Sequence, residues 1–273
     1  MKFALIGNPV SKSFSPELHK ILYKELNIED CFLEKIELNK CDLDSFFGNI
    51  NTLYNGLNVT LPFKNDVINY LDELDEEAKV LNNVNCIVLK EGILKGYNTD
   101  KYGFEILCKR NGIKTKNKRC MVLGAGSSAK TVIKSLIDSE AREIIIKNKS
   151  KKNALDVIEF AKKLGFTNIN LFDDLQTNFE LIVNTTPLGM YSMEDKDNFF
   201  DLTINNNADL IDLVYTSKTT MFLKKFKTNG KKVNGIDMLV FQALKSIEIW
   251  NETTYNVNSK IDSIIKQLEK KIC

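Results

Sequence analysis

Cys120-Met121-Val122-Leu123-Gly124-Ala125-Gly126-Ser127-Ser128-Ala129 decides the fold of this chain. Four apolar residues run into a glycine turn, and the turn opens a helix-compatible run to Asp138. The pattern fits G-x-G-x-x-G/A, the dinucleotide fingerprint, with Ala129 in the last place. Gly124 permits the tight turn, Gly126 removes a side chain where a pyrophosphate would approach, and Ala129 keeps helix and sheet close. Free N–H groups and the helix dipole at such a turn make an anion site through Ala125, Ser127 and Ser128. A strand at Glu143–Lys147 follows at the spacing of a βαβ unit, which raises the motif above a tight turn that binds nothing.

That second strand ends in Asn148-Lys149-Ser150-Lys151-Lys152. An NAD enzyme places Asp or Glu here to hold the ribose 2′-hydroxyl. This chain offers lysines and a hydroxyl, which attract a 2′-phosphate, so NADP is expected as the cofactor. Ser150 also suits the cap of the helix expected over Lys151–Leu164.

Outward from this unit, strands and helices alternate, the mark of an α/β architecture. Strands are expected near Lys2–Ile6, Cys31–Leu38, Gly56–Val59, Val84–Leu89, Glu180–Asn184, Asp209–Leu213 and Lys231–Asn234. Helices are expected from Pro16, from Leu43, from Pro62 to about Leu81, and from about Met238 to the end. Two domains follow: residues 1–100 with 238–273 as a substrate-binding catalytic domain, and 101–237 as a Rossmann-like NADP-binding domain. The C-terminal helices are expected to pack back on the first domain.

Composition narrows the function. Lys and Arg number 38 against 36 for Asp and Glu, so the near balance gives no reason to expect nucleic acid or an anionic membrane as partner. No apolar run approaches a bilayer span, and Met1 leads straight into a strand, so a cytoplasmic protein is expected. The six cysteines include no C-x-x-C pair, and His19 is the single histidine; no metal is expected. A monomer or homodimer is expected.

Four segments of the first hundred residues set polar side chains at strand ends: Gly7–Pro16, Asn58–Lys64, Asn82–Asn85 and Gly96–Asp100. Their hydroxyls, amides, ammonium and carboxylate suit a small polyhydroxylated acid. Taken singly, each has a plainer reading. Ser15 would cap a helix at Pro16, Thr60 a helix at Pro62 and Asp100 a helix to Lys109, while Lys64 would be surface charge.

In combination these motifs resemble the shikimate/quinate dehydrogenase family. The likeness rests on Ser13–Pro16, Asn58–Lys64, Asn98–Asp100, Gly124–Gly126, Asn184–Met190, Asp212–Tyr215 and Gly235–Gln242, in the family's order. It implies reversible reduction of 3-dehydroshikimate to shikimate with NADPH, a step towards chorismate and the aromatic amino acids. It makes Lys64 the catalytic acid/base and Asp100 its partner. Ser13, Ser15 and Tyr215 match the positions that hold the substrate carboxylate; Thr60, Asn85 and Gln242 match other substrate positions. Gly124–Ser128 match the pyrophosphate loop, and Asn148, Lys149, Ser150 and Lys152 the adenosine-phosphate segment. Leu213 and Gly235 match the nicotinamide end, and Glu76 a cofactor-facing position in some relatives. The chain departs from the family with Lys149 for the usual arginine, Ser127-Ser128 for Gly-Ala, Lys101 for a common glycine and Ser217 for a proline. A quinate/shikimate dehydrogenase with relaxed substrate or NAD use and a non-catalytic nucleotide-binding sensor on the same fold are the competing readings; a sensor has no need of the Lys64 and Asp100 pair.

Overall fold

The computed structural model describes residues 1–50, 53–173, 177–190 and 199–272. The chain forms two compact units: Met1–Asp100 with Val240–Ile272, and Lys101–Leu239.

The first unit is built on a mixed sheet. Among the described residues its strands are β1 (Lys2–Gly7), β2 (Phe32–Glu37), β3 (Gly56–Val59), β4 (Glu73–Leu74), β5 (Cys86–Lys90) and β6 (Ile93–Tyr97), in the order β2-β1-β3-β5-β6-β4. β1, β2 and β3 run parallel; β5 reverses, and β6 reverses again. Alternation along β1 divides the apolar residues between the two faces. Ala4 and Ile6 join a core with Leu57, Val59, Phe63 and Ile87, whereas the Phe3 ring stacks on Trp250 at 4.1 Å between centroids. α1 (Ser15–Glu25) and α2 (Leu43–Gly48) complete the N-terminal part, together with α3 (Glu76–Leu81). α8 (Ile236–Asn251) enters this unit at Val240, and α9 (Ile261–Ile272) buries Ile261, Ile264 and Leu268 in it.

The helix expected from Pro62 to Leu81 does not form as one element. A turn follows β3, then a short 3-10 helix (Asp66–Tyr70), then β4 and α3. Pairing with β6 diverts the chain: the Asp72 amide donates to the Leu94 carbonyl (2.9 Å), and the Leu94 amide donates to the Asp72 carboxylate (2.8 Å). β4 and β6 themselves are too short or too polar to stand out as periodic runs.

The second unit is a parallel sheet in the order β12-β11-β10-β7-β8-β9. Its strands are β7 (Arg119–Leu123), β8 (Glu143–Lys147), β9 (Ile169–Leu171), β10 (Leu181–Asn184), β11 (Asp209–Asp212) and β12 (Lys232–Asn234). Parallel strands are covered on both faces, and their residues alternate between two cores. Val122, Ile144 and Ile146 pack with residues of α5 (Ser127–Asp138) and α6 (Lys151–Lys163), and with Phe104 and Leu107 of α4 (Asp100–Arg110). Met121, Leu123 and Ile145 pack on the other side with Phe179, Phe200 and Phe222. α7 (Met221–Lys225) carries Phe222. No helix among the described residues is long and apolar enough to cross a membrane.

Candidate active site

In the first unit, the carboxyl ends of β1 and β3 lie side by side, with Ile6 opposite Val59. The chains leaving them stay in contact: the Thr60 amide donates to the Ile6 carbonyl (2.9 Å) and the Asn8 amide to the Leu61 carbonyl (2.9 Å). Gly7 permits this approach, because a Cβ there would fall 2.8 Å from the Leu61 carbonyl oxygen. The β1 exit carries Ser13 and Ser15. The Ser13 hydroxyl bonds that of Ser15 (3.1 Å) and accepts from the Ser15 amide (3.3 Å). α1 starts at Ser15 itself, with Phe14 in the cap position and no side-chain cap bond, so Ser15 is not the cap that Pro16 suggests. Nor does Thr60 cap a helix, since the turn after it leads elsewhere.

The β3 exit carries Lys64. Its backbone is held between the buried Phe63 and β5's approach, where the Val84 amide donates to the Lys64 carbonyl (2.8 Å). Asp100 leaves the parallel end of β6, its amide bonded to Asn98 Oδ1 (3.1 Å). Lys64 Nζ donates to Asp100 Oδ2 at 2.5 Å, with the two side chains only 13% and 11% exposed. Asp100 Oδ1 accepts from Asn85 Nδ2 (2.9 Å). The carboxylate therefore turns to Lys64 and Asn85, and it is more than the helix cap of its plainer reading. A shielded ammonium beside a carboxylate can stabilise charge on a substrate oxygen and exchange a proton with it.

Asn85 is the centre of a buried polar network. Its Nδ2 also reaches Thr99 Oγ1 (2.9 Å) and Gln242 Oε1 (3.4 Å), and its Oδ1 accepts from the Thr99 amide (2.7 Å). Asn58 donates to the Asn85 carbonyl (3.2 Å) and to Ser246 Oγ (3.0 Å). Asn58, Thr99 and Ser246 have no role legible in the sequence. The first two stand inside the Asn58–Lys64 and Asn98–Asp100 motifs; Ser246 shows only as a lone hydroxyl in the apolar run of α8. Glu76 opens α3 at the surface of this unit and pairs with Lys79 (2.8 Å).

The second unit brings the other named residues to the carboxyl ends of its strands. Gly124 has φ +108°, and a Cβ there would lie 2.6 Å from Thr185 Oγ1, so both backbone and packing require glycine. Gly126 is different. It caps α5 with φ −90°, and nothing lies within 4 Å of where its Cβ would be. The fold does not need glycine there; an approaching ligand would. Asn148 folds back on the Ser150 carbonyl (2.9 Å), and the Ser150 hydroxyl caps α6 through the Asn153 amide (3.3 Å). Lys149 and Lys152 are exposed around it. Leu213 and Tyr215 follow β11, while Gly235 lies just before α8, where a Cβ would overlap the Leu213 carbonyl. Tyr215 thus sits in the second unit, apart in the fold's organisation from the other candidate substrate residues. Lys101 is tied down by Asp138 (2.9 Å) and Glu105 (3.1 Å).

Asp212 is fully buried beside Asn184, whose Nδ2 it accepts at 2.8 Å, and burial pushes its carboxyl up to about 6. Burial likewise pushes the Cys86, Cys108 and Cys120 thiols up to about 12, which removes them as thiolate nucleophiles.

Two family models match this chain. One, described as the shikimate dehydrogenase substrate binding domain, covers residues 5–87, and the other, shikimate / quinate 5-dehydrogenase, covers 106–197. The chain belongs to the shikimate dehydrogenase family. Among curated family members, the shikimate dehydrogenase (NADP(+)) of Clostridium beijerinckii is 40% identical over 92% of this chain and 92% of its own. Of the solved shikimate dehydrogenases, one from Peptoclostridium difficile matches with a TM-score of 0.84 at 32% identity, over 99% of this chain and 98% of that one. Another, from Thermus thermophilus in complex with NADP(H) and shikimate, matches at 0.85 and 26% identity over the whole of both chains.

Proposed function

We propose that this chain reduces 3-dehydroshikimate reversibly to shikimate with NADPH, using Lys64 as the acid/base group and Asp100 as its partner. The observation that carries the residue assignment is the 2.5 Å contact between Lys64 Nζ and Asp100 Oδ2 in a nearly enclosed setting.

Bound NADPH supplies the hydride for the ketone carbon. As that carbon is reduced, negative charge grows on its oxygen. The Lys64 ammonium stabilises the charge and gives the oxygen its proton; in the reverse direction the amine takes the proton back from the alcohol. Asp100, held on Oδ1 by Asn85, keeps Lys64 in place and accepts from a substrate hydroxyl. Asn85, Thr60 and Gln242 supply further hydrogen bonds for ring hydroxyls. The Ser13 and Ser15 hydroxyls hold the carboxylate.

The second unit fits the dinucleotide. The open space over Gly126 and the twelve-residue helix behind it suit a pyrophosphate, with Ala125, Ser127 and Ser128 lending amides and hydroxyls. Asn148, Lys149, Ser150 and Lys152 would take the 2′-phosphate, and Leu213 and Gly235 the nicotinamide end. Glu76 stands as a further cofactor-facing candidate.

The test is the absorbance of reduced nicotinamide when the protein meets shikimate and NADP⁺, with parallel runs using NAD⁺ and quinate. Turnover is expected with shikimate and NADP⁺, and it should be weaker with NAD⁺. Cofactor binding without turnover on either acid would favour the nucleotide sensor and overturn the assignment.

A further inference from the structure

Ser246 lies on α8, outside every motif, and is fully buried. Its hydroxyl lies 3.0 Å from Asn58 Nδ2, 3.0 Å from the Gln242 backbone carbonyl and 3.4 Å from Thr99 Oγ1, with the weakly bonding Cys86 thiol beside it. A serine hydroxyl has one proton to give and two lone pairs to fill. The Gln242 carbonyl can only accept, so it takes the Ser246 proton. The Asn58 amide can only donate through Nδ2, so it fills one lone pair. The other lone pair is left for the Thr99 hydroxyl.

The next link is equally constrained. Thr99 grips both ends of the Asn85 amide: its backbone N–H donates to Asn85 Oδ1 (2.7 Å), and its hydroxyl oxygen accepts from Asn85 Nδ2 (2.9 Å). The backbone donor settles which end of that amide is oxygen. With its own oxygen occupied by Asn85, the Thr99 hydroxyl sends its proton to Ser246. The second Nδ2 hydrogen of Asn85 then goes to Asp100 Oδ1 (2.9 Å), a shorter and charged acceptor compared with Gln242 Oε1 (3.4 Å), and Asp100 Oδ2 faces Lys64.

We propose that Ser246 is a positioning residue for the reaction. By accepting from Thr99, it turns the Thr99 hydroxyl oxygen to Asn85 Nδ2, which steadies the amide that the Thr99 backbone N–H has oriented towards Asp100, and so helps to set the carboxylate against Lys64. It touches neither substrate nor cofactor. The inference rests on Lys64 and Asp100 being the reacting pair.

Ser246→Ala leaves the Thr99 hydroxyl and Asn58 Nδ2 without this acceptor, and frees Thr99 to turn away from Asn85. The expected result is a kcat for shikimate oxidation lower by about 5- to 20-fold, the scale of one buried hydrogen bond, with a raised KM for shikimate and an unchanged KM for NADP⁺. Thr99→Val should produce a similar loss. In that background Ser246→Ala should cost less than about twofold more, because the two groups act through one bond. Ser246→Cys, close in size and a weaker acceptor, should fall between wild type and Ser246→Ala, and it carries the test if the alanine protein does not fold. Wild-type kinetics in both Ser246 variants would overturn the proposal. So would losses that simply multiply with Thr99→Val, or a KM for NADP⁺ that rises in step with that for shikimate. Absence of shikimate turnover in the unmodified protein would instead overturn the assigned reaction.

Discussion

On the proposed function, the two halves of this protein prepare for their ligands in opposite ways. The first unit uses side chains, and it fixes them by hydrogen-bonding each to the next: Lys64 to Asp100, Asp100 to Asn85, Asn85 to Thr99. The second uses the absence of side chains, leaving the start of α5 open at Gly126 and turning the backbone tightly at Gly124. The difference teaches where each half is vulnerable. A networked site fails when one polar group is removed, because its partners lose their orientation along with it. A backbone site tolerates changes of polarity and fails when a carbon atom is added.

The sharpest break comes from Lys64→Ala. Turnover should fall by about 10²–10⁴-fold, the scale of a lost general acid/base, while NADPH binding followed by nicotinamide fluorescence stays at the wild-type level. Near-normal turnover would dissolve the contrast, since the first unit would then hold substrate without acting on it.

The glycines give the next test, and they should separate from each other. Gly126→Val has ordinary φ and open space, so its melting temperature should stay near wild type while the KM for NADP⁺ rises about 10- to 100-fold through lost phosphate hydrogen bonds. Gly124→Ala should show the reverse emphasis. Its φ of +108° and the Thr185 hydroxyl make it a stability change of about 1–2 kcal/mol, read as a lower denaturation midpoint. Equal behaviour of the two variants would mean that Gly126 serves the fold and not the cofactor.

The smallest effect is in pH. Burial pushes His19, in the first unit, down to about 3, with the Asn58 side chain opposing. It pushes Asp212, in the second, up to about 6, opposed by hydrogen bonds from Thr220, Val214 and Asn184. The signs differ. Between about pH 3 and 6.5 the unfolded chain binds a proton that native His19 does not, so His19 contributes stability to the first unit that grows as pH rises. Between about pH 4 and 6 native Asp212 holds a proton that the unfolded chain has lost, so the second unit loses stability over that range. Each slope is at most about 1.4 kcal/mol per pH unit. Hydrogen exchange at pH 4.5 and 7 should show β1 and β10 shifting in opposite directions. His19→Gln should flatten the first trend and Asp212→Asn the second.

Legibility in the sequence follows the same divide. The second unit is readable because its signals are local: apolar strands Arg119–Leu123 and Glu143–Lys147, a glycine turn, a hydroxyl cap at Ser150. In the first unit the side chains proposed to react stand inside recognisable motifs, but their wiring joins residues far apart in the chain. Asn58 and Ser246 are 188 positions apart, and no spacing rule links them. The expected Pro62–Leu81 helix fails for a related reason, since the competitor for the Asp72 backbone is a strand that begins twenty-one residues later. Ser15 and Thr60 follow cap rules in sequence and yet cap nothing, because the surrounding turns decide where each helix begins.

The division of the chain bears on the order in which it can fold during synthesis. Lys101–Leu239 is continuous, whereas the remaining unit is complete only with Val240–Ile272. α9 closes that unit against α1: Lys260 Nζ donates to the Glu25 carbonyl, and Gln267 Nε2 reaches Glu25 Oε1 at 3.0 Å. On the ribosome, the nucleotide half has all its strands before the last helix emerges. The other unit must wait until Val240–Ile272 is free, with β1 to β6 lacking its cover in the meantime.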